Sequence, residues 1–186
     1  LARECSLEQI RLIHETVPQI PLEAFVHGAL CVSYSGRCQA SQFCFSRSAN
    51  RGQCAQFCRL PFSLVDAEGK VLAKEKYLLS LRDMNRTASL EKMMDAGIRS
   101  FKIEGRLKDV SYVKNVTAWY RRRIDEILRR RPEYGRASLG TVELNFQPNP
   151  QRSFSRGFTE YFLHERTKMA SFHTPKSMGQ DVGVVK

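Results

Sequence analysis

Five of the chain's six cysteines fall in one stretch, Glu23 to Arg59, reading EAFVHGALCVSYSGRCQASQFCFSRSANRGQCAQFCR. Cys31 and Cys38 enclose six residues, Cys54 and Cys58 enclose three, and fifteen residues separate the two pairs. A segment this rich in Gly and Ser cannot run as one regular helix or strand. Thiols at such density therefore need a chemical reason: disulfides, a structural zinc or an iron–sulfur cluster.

No apolar run reaches the roughly 18 residues that span a bilayer, and no basic-then-apolar leader opens the sequence, so a cytosolic protein without membrane association is expected. A reducing compartment favours metal ligands or reactive thiols over disulfides. Structural zinc sites usually draw on two-residue knuckles, which the six- and three-residue gaps match poorly, whereas iron–sulfur clusters tolerate varied spacing. Spacing alone leaves zinc and iron–sulfur both open. Cys44, between Phe43 and Phe45, and Cys5, at a strand-to-helix junction, are expected to be buried small hydrophobes. A nucleophilic thiolate beside His27 or Arg59 is a further reading, but a hydrolase does not need four clustered thiols.

The net charge of +11, from 30 Lys and Arg against 19 Asp and Glu, concentrates polyanions and suits a nucleic-acid partner. The same excess would also serve as a solubility charge on solvated helices.

Along the chain, Leu1 to Glu4 looks like the tail of a strand. Ser6 and Gln9 have the form of a capping box, opening a short amphipathic helix that ends before Pro18. Ile20 to Val26 alternates as a strand, with Glu23, Phe25 and His27 on one face and Leu22, Ala24 and Val26 on the other. Apolar runs around Asp66-Ala67-Glu68-Gly69 predict a β-hairpin within residues 61–80. Ser89 to Ala96 reads as a helix stopped by Gly97, and Ile98 to Ile103 as a buried strand. A long helix follows from about Asp109 to Arg131, with Val113, Val116, Trp119 or Tyr120, Ile124, Ile127 and Leu128 as its apolar stripe. Its far end carries Arg121 to Arg123 and Arg129 to Arg131, and the last triplet reads mainly as a solvated helix end.

Residues 132–178 form an irregular extension whose Phe154, Phe158, Tyr161 and Phe162, set among Arg152, Arg156 and Arg166, are expected to pack on the core, with stacking on bases as the alternative. Residues 179–186 look like the opening strand of a further β-domain. The strand–helix alternation predicts an α/β fold, part of a parallel sheet with too few units to close a barrel, hence a fragment. The start at LAREC, without Met, agrees.

His27, Glu23, Lys102, Glu104 and Arg106 are all placed at strand ends facing one mouth. They are the candidates for binding an anionic cosubstrate or moving protons, and barrel-interior salt bridges are their plain alternative.

At these residues the sequence resembles the collagenase-like peptidases of family U32. The likeness lies in Glu23-x-Phe25-x-x-Gly28-Ala29-Leu30-Cys31, Gly36-x-Cys38, Asn50-Arg51-Gly52-x-Cys54-x-x-x-Cys58-Arg59 and Phe101-Lys102-Ile103-Glu104-Gly105-Arg106. Within the family, Ser48 to Gly52, Ser100 to Arg106 and Asp109 to Arg121 are most similar to the branch that hydroxylates a cytidine of large-subunit ribosomal RNA. Sister branches act on the wobble uridine of tRNA or assist ubiquinone hydroxylation. The resemblance implies the C-terminal part of a TIM-type β/α barrel followed by a small β-domain. It further implies RNA base hydroxylation dependent on prephenate, with Cys31, Cys38, Cys54 and Cys58 holding a 4Fe–4S cluster, and ribosomal RNA or tRNA as partner. Peptidase action on collagen-like chains, and a zinc-binding RNA module without turnover, are the competing expectations.

Overall fold

The computed structural model describes residues 1–105, 107–179 and 183. Its helices are α1 (Leu7–Thr16), α2 (Ala40–Phe45), α3 (Leu90–Asp95) and α4 (Val110–Arg130). The strands are β1 (Leu22–Gly28), β2 (Phe62–Val65), β3 (Val71–Lys76), β4 (Asp83–Asn85), β5 (Ile98–Ile103) and β6 (Phe158–Thr159). Four of the strands form one sheet in the order β5-β1-β4-β6, and β2 pairs with β3 as a separate hairpin.

The sheet is mixed. β1 runs parallel to β5 but antiparallel to β4, and β4 runs parallel to β6. The purely parallel arrangement expected from strand–helix alternation is therefore corrected. The three-residue β4 was missed because Asp83-Met84-Asn85 carries no hydrophobic alternation long enough to register. The fold class is α/β, as the alternation predicts.

Leu22, Ala24 and Val26 place one face of β1 in the main core, joined by Ile10 of α1, Met93 and Met94 of α3, Ile98 of β5, and Tyr112, Val116, Tyr120 and Ile127 of α4. Each fully buried aliphatic side chain of this kind contributes about 1.5–3 kcal/mol. Helix ends agree with the local chemistry. Ser6 and Gln9 make the reciprocal capping box, with bonds of 3.2 and 2.9 Å, and the Asp109 carboxylate accepts from the Tyr112 N–H at 2.7 Å to start α4. Gly97 follows α3 at φ +101°, where a Cβ would also strike the His14 ring. Two facts thus demand glycine there.

Other expectations are revised. Leu1 to Glu4 forms a turn and no strand. β1 begins at Leu22 and runs on to Gly28. Val113 is exposed, since one step from Tyr112 rotates it about 100° out of the buried stripe. The hairpin lies inside residues 61–80 as expected, with its turn at Asp66 to Gly69. The extension after Pro132 is more than a packed loop, because it supplies β6 to the sheet and Leu163 to the core. Tyr161 is buried against Leu30, Leu81 and Met84 and Phe154 packs on the main core, which agrees with the packing role. Arg106 and the expected opening strand, from residue 180 onward apart from Gly183, lie outside the described residues.

Candidate functional site

The site is built where β1 ends. Gly28 takes φ +112°, and a Cβ there would collide with the Glu104 carbonyl oxygen. Meanwhile the Glu104 N–H donates to the His27 carbonyl at 2.8 Å. This close backbone approach, open to glycine alone, turns the chain from β1 into Ala29-Leu30-Cys31 directly beside the end of β5.

Cys31, Cys54 and Cys58 line one cavity of about 420 Å³ together with Arg59, Glu104, Lys108 and Arg156. Cys38 is outside that lining, yet its charge is felt at Cys58 along with those of Cys31 and Cys54. Hydrogen bonds hold this stretch in shape where regular structure cannot. Arg59 donates to the Leu30 carbonyl at 2.6 Å, the Ser80 hydroxyl at 3.0 Å and the Leu81 carbonyl at 3.3 Å, tying Cys58 to the residue before Cys31. The buried Ser41 hydroxyl on α2 accepts from the Ala55 N–H at 3.0 Å, anchoring the neighbour of Cys54. Asn50 donates to the Gly36 carbonyl at 3.2 Å, closing the loop around Cys38.

The electrostatics follow from this enclosure. Burial pushes the Cys58 thiol up, the adjacent Arg59 opposes it, and the other three cysteines push it further. Burial also lowers Lys108, with Asp83 opposing. The Lys108 ammonium sits 3.1 Å from the centroid of the Phe154 ring. All six cysteines are free, which settles against disulfide bridges in this structure. Among the described residues, no three His, Cys, Asp or Glu side chains converge closely enough to hold a single metal ion. Cys5 is partly buried against the main core, in line with its expected role. Cys44, expected to be buried, is exposed, because the short α2 buries only Ser41 in its first turn and leaves Gln42 to Phe45 in solvent.

The four described polar candidates do not share one mouth, and Arg106 lies outside the described residues. Glu104 lines the cysteine cavity. Glu23 and Lys102 pair with each other at 3.8 Å, half-exposed, with Glu23 accepting from Ser100 at 2.7 Å and Lys102 lying over the Phe25 ring. Such an exposed pair contributes at most about 1 kcal/mol. His27 is 1% exposed. A register shift between Phe25 and His27 gives β1 an extra residue there, breaking the two-residue alternation that placed His27 beside Glu23. The ring instead meets Tyr112 and Tyr120 of α4, with Nδ1 3.2 Å from the Tyr120 hydroxyl. That hydroxyl also lies within donating reach of the Val26 carbonyl at 2.8 Å and Asn85 Oδ1 at 3.2 Å. Burial holds the His27 pKa down to about 4, the Asp83 charge opposing.

Sequence reasoning missed Arg86 and the Asp83–Arg156 pair. The buried Arg86 guanidinium donates to the carbonyls of Arg3, Phe25 and Glu160 at 2.9, 3.1 and 3.2 Å, tying three segments together. Nothing in the local sequence marks such a hub, since its acceptors are backbone atoms far along the chain.

The model for Peptidase family U32 matches residues 1–172. The chain belongs to this family. Among the relatives of this U32 chain, the 23S rRNA 5-hydroxycytidine C2501 synthase of Escherichia coli K12 is 50% identical over 186 residues, all of this chain and 28% of that protein. A collagenase of Porphyromonas gingivalis is 35% identical over 89% of this chain and 42% of its own length. The tRNA hydroxylation protein P1 of Bacillus subtilis is 42% identical over 67% of this chain and 31% of its own length. The U32 chain thus spans less than half of each of these relatives. No solved structure matches it. Among the described residues, no helix is long and apolar enough to cross a membrane.

Proposed function

We propose that this U32 chain is part of a cytoplasmic RNA base hydroxylase that acts on a cytidine of 23S rRNA. The observation that carries the reading is the 50% identity, across the whole of this chain, to the 5-hydroxycytidine synthase. Two further U32 relatives are named for tRNA hydroxylation, in Bacillus subtilis and in Escherichia coli, which makes RNA the common substrate class and tRNA the nearest alternative. A net charge of +11 suits such a polyanion. The barrel architecture that the family resemblance implies, with prephenate as cosubstrate, belongs to the same proposal.

Cys31, Cys38, Cys54 and Cys58 would hold a 4Fe–4S cluster. Zinc asks for four ligands at about 2.0–2.3 Å from one atom. The six- and three-residue gaps match such a site poorly, whereas a cluster that takes one thiolate per iron tolerates varied spacing. When bound it would supply electron transfer or, through an iron left open, substrate activation. The chain's own contribution is cationic. Arg59, Lys108 and Arg156 line the cavity and offset the charge that thiolates bring. Glu104 is the carboxylate placed to hold or accept a proton there. A thiol peptidase built on Cys31 and His27 finds less support, because the imidazole is buried and engaged by Tyr120.

The test uses the full-length protein purified without air. Iron and sulfide at about four each per chain, with broad visible absorption, is the expected result. A colourless protein with one zinc overturns the cluster. Mass spectrometry of ribosomal RNA from a strain lacking the gene should show the 5-hydroxycytidine gone. Its persistence overturns the reaction.

A further inference from the structure

The loop that carries the cysteines also presents a surface that neither the sheet nor the helices use. Between Glu23 and Asp66 the chain contains no acidic residue, yet it places Arg37, Arg47, Arg51 and Arg59 there. Arg59 is turned inward on backbone carbonyls. Arg37, Arg47 and Arg51 are exposed, and no ion pair among the described residues engages them. The Asn50 side chain donates to the Gly36 carbonyl, tying together the segments that carry Arg51 and Arg37.

Aromatic side chains stand among these arginines. Phe43 on α2 is 93% exposed and Tyr34 is 61% exposed. Neither ring meets another ring among the described residues, whereas Phe45 leans on Phe57. Much of the arginine surface of α4 is already neutralised, though Arg122 and Arg129 are exposed without an ion pair among the described residues. On α4, Arg121, Arg123, Arg130 and Arg131 are paired with Asp125, Glu126, Glu91, Asp95 and Glu133. A polyanion approaching α4 must compete with those carboxylates. At the cysteine loop it meets unpaired guanidinium groups and bare rings.

We propose that residues 32–53 form the contact surface for a single-stranded stretch of RNA, with Phe43 as a stacking platform for a base and Arg37, Arg47 and Arg51 holding phosphates. The combination of unpaired cations with exposed rings is what sequence-tolerant single-strand binding requires. The surface lies on the same cross-tied loop as Cys31, Cys54 and Cys58, so it would hold the strand next to their cavity. The inference rests on the RNA reading above.

The experiment measures binding of a labelled single-stranded RNA of about 15 nucleotides to full-length protein purified without air, across a salt series. Phe43→Ala should weaken binding about 5- to 150-fold with its salt dependence unchanged, the range for loss of one base stack. The triple Arg37→Gln, Arg47→Gln, Arg51→Gln variant should lower the slope of log affinity against log salt by about 2, at about 0.7 per lost phosphate contact. Iron content and visible absorption equal to wild type show that each variant has folded. Wild-type binding with unchanged affinity and slope in both variants overturns this surface alone, and assigns the exposed rings to the rest of the chain or to a protein partner. No binding by wild type even at low salt overturns the RNA reading together with it.

Discussion

Arg156 grips Asp83 three times. Its backbone N–H and Nε donate to Oδ2 at 2.7 and 3.2 Å, and Nη2 donates to Oδ1 at 2.8 Å. Both side chains are buried. The pair locks β4 to the segment leading into β6, and Arg156 also lines the cysteine cavity. Replacing Arg156 by Ala leaves an uncompensated carboxylate in the interior, so a loss of about 3–5 kcal/mol is expected. Urea denaturation of wild type and variant measures it, and a loss under about 1 kcal/mol contradicts the buried pairing.

His27 gives the protein an acid limit. Its pKa is held near 4 in the folded state against an ordinary 6.5, because the proton-bearing form is poorly solvated where the ring is buried. The unfolded chain therefore binds the proton first as pH falls. Stability from this group is complete above about pH 6.5 and drains away as pH drops toward 4, by about 3 kcal/mol in all. Unfolding free energies at pH 7, 5.5 and 4.5 should decline in that window, and His27→Gln should flatten the decline.

Gly28→Ala places a methyl group against the Glu104 carbonyl at a backbone angle hostile to L-residues. Neither backbone can retreat without breaking the β1 to β5 pairing. A destabilisation above about 2 kcal/mol is expected, together with loss of metal from the neighbouring cysteine loop. A variant with wild-type melting temperature and metal content refutes this.

The cysteines should divide four against two. Serine at Cys31, Cys38, Cys54 or Cys58 should each abolish the iron content of anaerobically purified full-length protein. Cys44→Ser should leave iron unaltered, since that side chain is exposed on α2. Cys5→Ser should also retain iron, at a small stability cost from its contact with the core. Iron loss at Cys44 would redraw the ligand set.

Much of the frame could be read from local pattern. Ser6 with Gln9 and the Gly97 stop are chemistry within a few residues, and so are the Asp66 to Gly69 turn and the spacing along α4. Each forms as written, except that Val113 falls outside the buried stripe of α4. β4 and β6 escaped because strands of three and two residues have too short a period to detect, and they exist only because β1 and each other supply the pairing edge. The candidate site divides in the same way. The cysteines announced themselves by density, and Glu104 by its place after β5. Glu23, Lys102 and His27 were assigned to one mouth by assuming unbroken alternation.

Residue types and their spacing settled that thiols cluster beside a strand end in a strongly basic α/β chain of family U32. Which side chains face that cluster was decided in three dimensions, by one extra residue in β1 that turns His27 toward Tyr120 and by Asp83 holding Arg156, 73 residues away, in the cavity wall. Local sequence encodes backbone preference over a few residues. A bulge or a buried ion pair depends instead on partners that only folding brings within a few ångströms, where removal from water makes their pairing decisive.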